Sequence, residues 1–267
     1  MKASGLIRQA FSVAAGATIL YGCATEPVRI ETDVVPGRVV PGHVVPGHIT
    51  TRAGKLGHVI AAPHGTSDAR TGDIAADLAH RTGFGLVVAT GFTIESGHRD
   101  TPGRRYQVNR PLEGVPGTPA AQEVATDEAR RVYEIYEQRV REIARGPIAF
   151  YAEIHGNTRQ ESATRIEIAT VGIDRPDAMR LKTLLEMIRD AHLRGRAASA
   201  RLDVLIEPAD PLVYSASSAK RVGILRFPTQ GLHIELPRAA RTEWRDLYTA
   251  ILADFLAQAA ALPPRPR

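Results

Sequence analysis

The sequence is poor in several residue types, and each shortage excludes something. It has one cysteine in 267 residues, so a disulfide bond within the chain is impossible. Aromatic residues make up 5% of the chain, and lysine occurs only at positions 2, 55, 182 and 220. The remaining basic residues are arginines scattered among acids, without the cationic strip that a nucleic-acid surface requires. We therefore expect no nucleic-acid partner, while the formal charge of +5 suits an anionic substrate.

The chain also lacks an apolar run long enough to span a membrane. The apolar stretch at 10–20 is too short for that, but it follows Lys2 and Arg8 and is typical of a signal peptide. The stretch ends in Leu-Tyr-Gly-Cys, which resembles the lipobox of bacterial lipoproteins, and predicts a signal peptide at 1–22 with lipid attachment at Cys23. Because Ala24 follows, with no aspartate for inner-membrane retention, we expect an exported protein anchored to the outer membrane, facing the periplasm. The alternative is an ordinary cleaved signal and an incidental cysteine.

Three Val-Val-Pro-Gly repeats stand between residues 34 and 48. Pro-Gly at five-residue spacing favours turns and disfavours strand pairing, so residues 23–54 are predicted to form a tether. Residues 55–262 are long enough for one domain, and residues 263–267 form a tail of proline and arginine.

Short apolar runs alternate with amphipathic segments through this domain. Strands are predicted at 59–62, 85–90, 148–154, 165–171, 204–206 and 231–236, and helices at 73–80, 118–145, 176–193 and 242–260. The alternation predicts an α/β fold, a three-layer α/β/α arrangement around a central mixed, largely parallel sheet. Ligands of such sheets collect where the strands end.

Two predicted strands each end at a histidine. His64 and Asp68 follow the run at 58–62, and His155 closes the run at 148–154. Two histidine nitrogens and one carboxylate oxygen are a common ligand set for catalytic zinc, with a fourth position left for water. The sequence therefore predicts one zinc ion per chain at His64, Asp68 and His155, with Asp73 as the alternative carboxylate.

A third polar site lies near the end of the run at 231–236. Alternation places Leu232, Ile234 and Leu236 on one face and His233 with Glu235 on the other. Glu235 is a candidate general base that takes a proton from the attacking water. An edge strand with one solvated face explains the same pattern, and the two interpretations remain open.

A loop rich in arginine lies between these elements. Asn109 and Arg110 together offer an amide donor and a planar guanidinium fork, which suit a substrate carboxylate. An ordinary solvated basic loop is the alternative.

The order of these motifs resembles the N-formylglutamate amidohydrolase family, a branch of the zinc carboxypeptidase and aspartoacylase superfamily, and is similar to phage poly-γ-glutamate hydrolases. The resemblance covers residues 58–241 and rests on Pro-His-Gly with a following Asp, Asn-Arg-Pro, Glu-Ile-His-Gly and Ile-Glu-Leu-Pro-Arg. It implies a zinc-carboxypeptidase-like fold and adds Arg105 as a residue that polarises the scissile carbonyl. The chain departs from the pattern at Asp68, where His-x-x-Glu is usual, and at Gln107, where an aspartate is common.

Together these features predict a zinc-dependent hydrolase that cleaves an amide bond adjacent to a carboxylate. The expected substrate is an N-acyl amino acid, a γ-glutamyl compound or a short peptide. Two alternatives remain: a lipoprotein that binds a metal or an anionic ligand without catalysis, and a carboxypeptidase that acts on cell-wall peptides.

Overall fold

A computed structural model describes residues 31–34, 47–94, 103–196 and 201–262. The predicted signal peptide, Cys23, most of the repeats and the tail at 263–267 lie outside these ranges. The strands are β1 (Glu31–Val34), β2 (His48–Arg52), β3 (Lys55–Ala62), β4 (Phe84–Thr90), β5 (Thr93–Ile94), β6 (Arg104–Tyr106), β7 (Glu113–Gly114), β8 (Phe150–Gly156), β9 (Arg165–Val171), β10 (Asp203–Ile206) and β11 (Gln230–Leu236). The α-helices are α1 (Thr71–Thr82), α2 (Asp127–Ala144), α3 (Arg175–His192), α4 (Ser217–Val222), α5 (Arg238–Arg241) and α6 (Arg245–Ala259).

Eight of the strands form one sheet in the order β1-β2-β4-β3-β8-β11-β9-β10. The four central strands β4, β3, β8 and β11 are mutually parallel. At the two ends of this group, β2 pairs with β4 and β9 pairs with β11, and both pairs are antiparallel. Strands β5, β6 and β7 form a separate small sheet. The predicted mixed sheet with a parallel centre is confirmed.

Helices cover both faces of the large sheet. In β3, Ile60 and Ala62 belong to one buried cluster and Val59 and Ala61 to another, because successive side chains point to opposite faces. The first cluster includes side chains of α1, α3 and α6, and the second includes side chains of α2 and α4. These three layers confirm the predicted α/β/α arrangement. None of the helices in the described ranges combines the length and apolarity that a membrane crossing needs.

The sheet begins earlier in the chain than the sequence predicted. Residues 48–52 were expected to belong to the tether, but β2 pairs with β4 along its whole length and β1 pairs with β2. Ile49 is fully buried in the cluster beneath α2. The boundary at residue 55 is therefore wrong, because Ile-Thr-Thr-Arg can extend the sheet as soon as the Pro-Gly repeats end.

Two predicted helices are shorter than expected. The helix predicted at 118–145 begins at Asp127, since Thr126 caps it by accepting a hydrogen bond from the Ala129 amide, and a 3-10 turn occupies Ala120–Gln122. The helix predicted at 242–260 corresponds to α6, which begins at Arg245 and ends at Ala259, while the separate short helix α5 ends at Arg241, before the predicted start. Strand β9 has the predicted bounds, 165–171.

Candidate metal centre

The ends of β3 and β8 carry the two predicted histidine ligands to the same edge of the sheet. These strands are adjacent and parallel, so the residues that follow them meet in space. After β3, the chain turns sharply at Gly65, whose amide donates to the Ala89 carbonyl at 2.9 Å. A Cβ at Gly65 would lie 2.8 Å from Val88 Cγ1, so this turn needs a glycine to pack against β4. The turn then brings Asp68 back towards His155.

His64, Asp68 and His155 converge through defined atoms. Asp68 Oδ2 lies 3.2 Å from His64 Nδ1 and 3.3 Å from His155 Nδ1. Ligand atoms about 2.1 Å from a tetrahedral zinc ion are separated by about 3.4 Å, so these distances fit two edges of a zinc tetrahedron. All three side chains are at most 9% exposed. The donor set and its spacing therefore fit a zinc ion.

The outer nitrogen of each histidine lies near an oxygen. His64 Nε2 forms a hydrogen bond of 3.0 Å with the backbone oxygen of Gln107, whereas His155 Nε2 lies 3.4 Å from Glu153 Oε1 without hydrogen-bond geometry. A hydrogen on each Nε2 leaves the lone pair of Nδ1 for a metal ion. Partners of this kind are usual behind metal-bound histidines.

The two histidines differ in their electrostatic surroundings. Burial lowers the pKa of His64 to about 4, despite the opposing charge of Asp68. Burial also acts against charge on His155, but the carboxylates of Asp68, Glu153 and Glu235 outweigh it and raise the pKa of His155 to about 10. The pKa of Asp68 is held well below its usual value, because the two histidines outweigh its own burial. The carboxylates around His155 thus favour positive charge on that side of the pocket, whereas His64 stays neutral and keeps a lone pair for a cation.

A second group of potential ligands, Glu153, His155 and His233, shares one histidine with the first. Its shortest contact, 2.6 Å between Glu153 Oε1 and His233 Nδ1, is a hydrogen bond and too short for neighbouring zinc ligands. Both Glu153 oxygens also accept from Asn109 Nδ2, at 3.2 and 3.3 Å, and Oε2 accepts from the Tyr151 hydroxyl at 3.1 Å. We interpret this group as a hydrogen-bond network behind the metal centre.

Glu235 lies on β11, between β8 and β9, at the same level as His155. The edge-strand interpretation of this segment is therefore wrong. One carboxylate oxygen, Oε1, lies 3.1 Å from His233 Nε2. The other, Oε2, is buried and has no hydrogen-bond partner among the residues that the structure describes. Glu235 thus keeps one carboxylate oxygen unpaired within the described part of the chain, as a general base requires.

Asn109 and Arg110 are already engaged within the protein. Asn109 is fully buried, and both contacts of its amide nitrogen go to Glu153. Arg110 binds Glu123 through Nε at 3.0 Å and Nη2 at 2.8 Å, and its Nη1 donates to Asn109 Oδ1 at 3.0 Å. The Asn109 amide therefore faces Glu153 in this arrangement, and a direct contact of Asn109 with substrate stays a prediction. Glu123 is therefore the carboxylate partner of Arg110, in place of the aspartate that was expected at position 107.

Arg105 and Asp73 complete the residues named from the sequence. Arg105 lies on β6, where its Nη2 donates to Asp68 Oδ1 at 3.1 Å and its side chain is 29% exposed. It therefore reaches the metal centre from the solvent side. Asp73 lies exposed in the first turn of α1, and the ligand cluster contains Asp68 instead.

Sequence reasoning gave no role to Arg241, which joins three segments of the site. Its buried guanidinium donates to the backbone oxygens of Ala69 at 2.8 Å, Asn157 at 3.0 Å and Leu236 at 3.1 Å. These oxygens follow Asp68, His155 and Glu235 in the chain. A Cβ at Gly156 would lie 2.5 Å from Arg241 Cζ, so the glycine of the second His-Gly pair makes room for this contact.

We expect Arg241→Met to destabilise the protein and loosen the metal centre. The substitution removes the arginine donor from the carbonyl oxygens of Ala69 and Asn157, while that of Leu236 still accepts from the Asn157 amide. The loss should lower the free energy of unfolding by about 3 kcal/mol. Urea unfolding measures this change, and Arg238→Met, at an exposed position of α5, is the matched control. Equal stability of the two variants would contradict the assigned role of Arg241.

Comparisons with known proteins give fold likenesses only. No known family's profile and no curated protein matches the sequence. Among solved structures, the chain is similar to a bacteriophage poly-gamma-glutamate hydrolase, at 11% identity and a TM-score of 0.42, covering 80% of this chain and 88% of that one. It is also similar to gene product Atu2144 from Agrobacterium tumefaciens (15%, TM-score 0.44, 80% and 93% covered) and to a metallo-carboxypeptidase from Burkholderia cenocepacia (12%, TM-score 0.38, 80% and 60% covered).

Proposed function

We propose that the protein is a zinc-dependent hydrolase that cleaves an amide bond adjacent to a carboxylate. One observation carries the proposal. His64, Asp68 and His155 have the spacing of zinc ligands, and beside them lies the buried carboxylate of Glu235, which has one oxygen without a partner among the described residues. The sequence resemblance to N-formylglutamate amidohydrolases supports the same reaction class. An N-acyl amino acid, a γ-glutamyl compound or a short peptide is the proposed substrate.

Each group of the site has a separate proposed role in hydrolysis. A bound zinc ion would supply Lewis acidity, lowering the pKa of water and polarising the substrate carbonyl. Glu235 accepts a proton from the attacking water on Oε2 and delivers it to the leaving nitrogen as the C–N bond breaks, so protons balance over the cycle. Arg105 stands beside Asp68 with its guanidinium partly exposed, where it can stabilise negative charge that develops on the carbonyl oxygen.

The substrate carboxylate needs a cationic partner near these groups. Arg110 is the proposed one, with its Nε edge held by Glu123 and the second hydrogens of its Nη atoms still available. Asn109 fixes the guanidinium from the side, through Oδ1. In this arrangement Arg110 binds the substrate and Asn109 acts through Arg110.

A substrate panel with purified, zinc-loaded protein tests the proposal. The panel contains N-formyl and N-acetyl amino acids with acidic and neutral side chains, poly-γ-glutamate, and cell-wall peptides. Release of free amine from the carboxylate-bearing members, absent from their carboxamide analogues, is the expected result. Zinc binding without hydrolysis anywhere in the panel would favour the metal- or anion-binding lipoprotein, and cleavage of cell-wall peptides alone would favour the carboxypeptidase.

We further propose that the enzyme is exported and anchored by a lipid on Cys23, with the outer membrane as its site. The support is the sequence alone: a basic N-terminus, a short apolar stretch and a lipobox-like end. The repeats that follow would place the domain at a distance from the membrane.

Replacing Cys23 with serine should move the protein from the membrane to the soluble fraction of the periplasm. The reason is that no other cysteine exists to carry a lipid. Fractionation of cells, together with incorporation of labelled palmitate, measures the change, and Ser12→Ala within the apolar stretch is a control that keeps the cysteine. Unchanged membrane retention of the serine variant would contradict the anchor.

A further inference from the structure

His233 joins two carboxylates in the interior of the site. Its Nδ1 lies 2.6 Å from Glu153 Oε1 and its Nε2 lies 3.1 Å from Glu235 Oε1, so both ring nitrogens are engaged. The side chain is 7% exposed. Strand register explains the arrangement, since His233 is paired with Glu153 across β11 and β8, and Glu235 lies on the same face two residues later.

We propose that His233 is a positioning residue for the general base. This proposal rests on the proposed function and assigns a further residue to that site. His233 engages Oε1 of Glu235 and leaves Oε2 unengaged. Oε2 is buried and is the atom without a partner in the described part of the chain, so it is the oxygen that remains to accept a proton. A carboxylate held by one oxygen does not rotate freely, so its proton-accepting oxygen stays aligned.

Glu153 links this function to the metal ligand. The carboxylate is fully buried and forms hydrogen bonds with the side chains of Asn109, Tyr151 and His233. Its Oε1 also lies 3.4 Å from His155 Nε2. The rings of His155 and His233 stack with centroids 4.1 Å apart. One anchored carboxylate therefore fixes the ring that holds the base and lies beside the ring that would bind the metal.

Substitutions at His233 can separate its two contacts. Glutamine can place an amide nitrogen near the position of Nε2, facing Glu235, whereas asparagine can place one near Nδ1, facing Glu153. We expect His233→Ala and His233→Asn to lower kcat by about 10- to 100-fold, with KM and zinc content unchanged. We expect His233→Gln to recover most of the loss. Equal losses in all three variants, or an undiminished kcat in His233→Ala, would overturn the proposal.

A second readout does not depend on activity. In protein labelled with ¹⁵N-histidine, the ring nitrogens of His233 are assigned by comparison with His233→Ala. Glu235→Gln should shift the Nε2 resonance and Glu153→Gln the Nδ1 resonance, while Glu134→Gln, on the exposed face of α2, should shift neither. An unchanged Nε2 resonance in Glu235→Gln would overturn the proposal. If the wild-type protein hydrolyses nothing, the proposed function fails, and these spectra still decide whether His233 holds Glu235.

Discussion

Replacing Glu235 with glutamine is expected to lower kcat by about 1,000-fold, the loss typical when a general base is removed. Glutamine keeps the shape of the side chain but cannot accept a proton from water. The zinc content should stay near one ion per chain, because Glu235 is not a member of the proposed ligand set. Steady-state kinetics and metal analysis on the same samples measure both effects.

The matched control for this substitution is Glu134→Gln. Glu134 is exposed on α2, so the same loss of one charge occurs away from the site. Its kcat should equal that of the wild-type protein. A Glu235→Gln variant that keeps its kcat would remove Glu235 from the mechanism and leave the metal centre without an identified base.

The second large effect is expected from the histidine ligands. His64→Ala and His155→Ala each remove one of three proposed protein ligands, and the zinc affinity should fall by more than about 100-fold, beyond the loss caused by changing an outer partner. Hydrolysis should fall with it. Competition with a chromophoric chelator measures the affinity.

Two control variants accompany this measurement. His80→Ala changes an exposed histidine on α1, and Asp73→Asn changes the alternative carboxylate. Both should keep the wild-type affinity, whereas Asp68→Asn should weaken it like the histidine variants. Loss of zinc from Asp73→Asn, with Asp68→Asn unaffected, would reverse the choice between the two aspartates.

The fold and the strand-end residues could be predicted because their signals are local. Apolar runs of strand length, separated by helical periodicity, predicted the layers, and parallel strands necessarily end at one edge. His64 and His155 follow such runs directly. The missed strand β2 has a weaker signal, because it follows the Pro-Gly repeats and contains only one fully buried apolar side chain, Ile49.

The partners behind the site could not be predicted, since they depend on register and on segments distant in the chain. Glu153 meets His233 only because β8 and β11 pair in one particular register. Arg110 meets Glu123 through the loop that replaces the first part of the predicted helix, and Arg241 reaches carbonyls near three separate strand ends. Position 107 holds glutamine where the resembled family commonly has aspartate. This difference was the one sequence signal that Arg110 needed another carboxylate partner.

Anomalous X-ray diffraction from crystals grown with zinc tests the central claim most directly. Data collected above and below the zinc absorption edge should show one peak per chain, within bonding distance of His64 Nδ1, Asp68 Oδ2 and His155 Nδ1. That result would establish the ligand set on which the proposed hydrolysis depends. A peak among Glu153, His155 and His233, or no peak at a zinc concentration that saturates the protein, would contradict it.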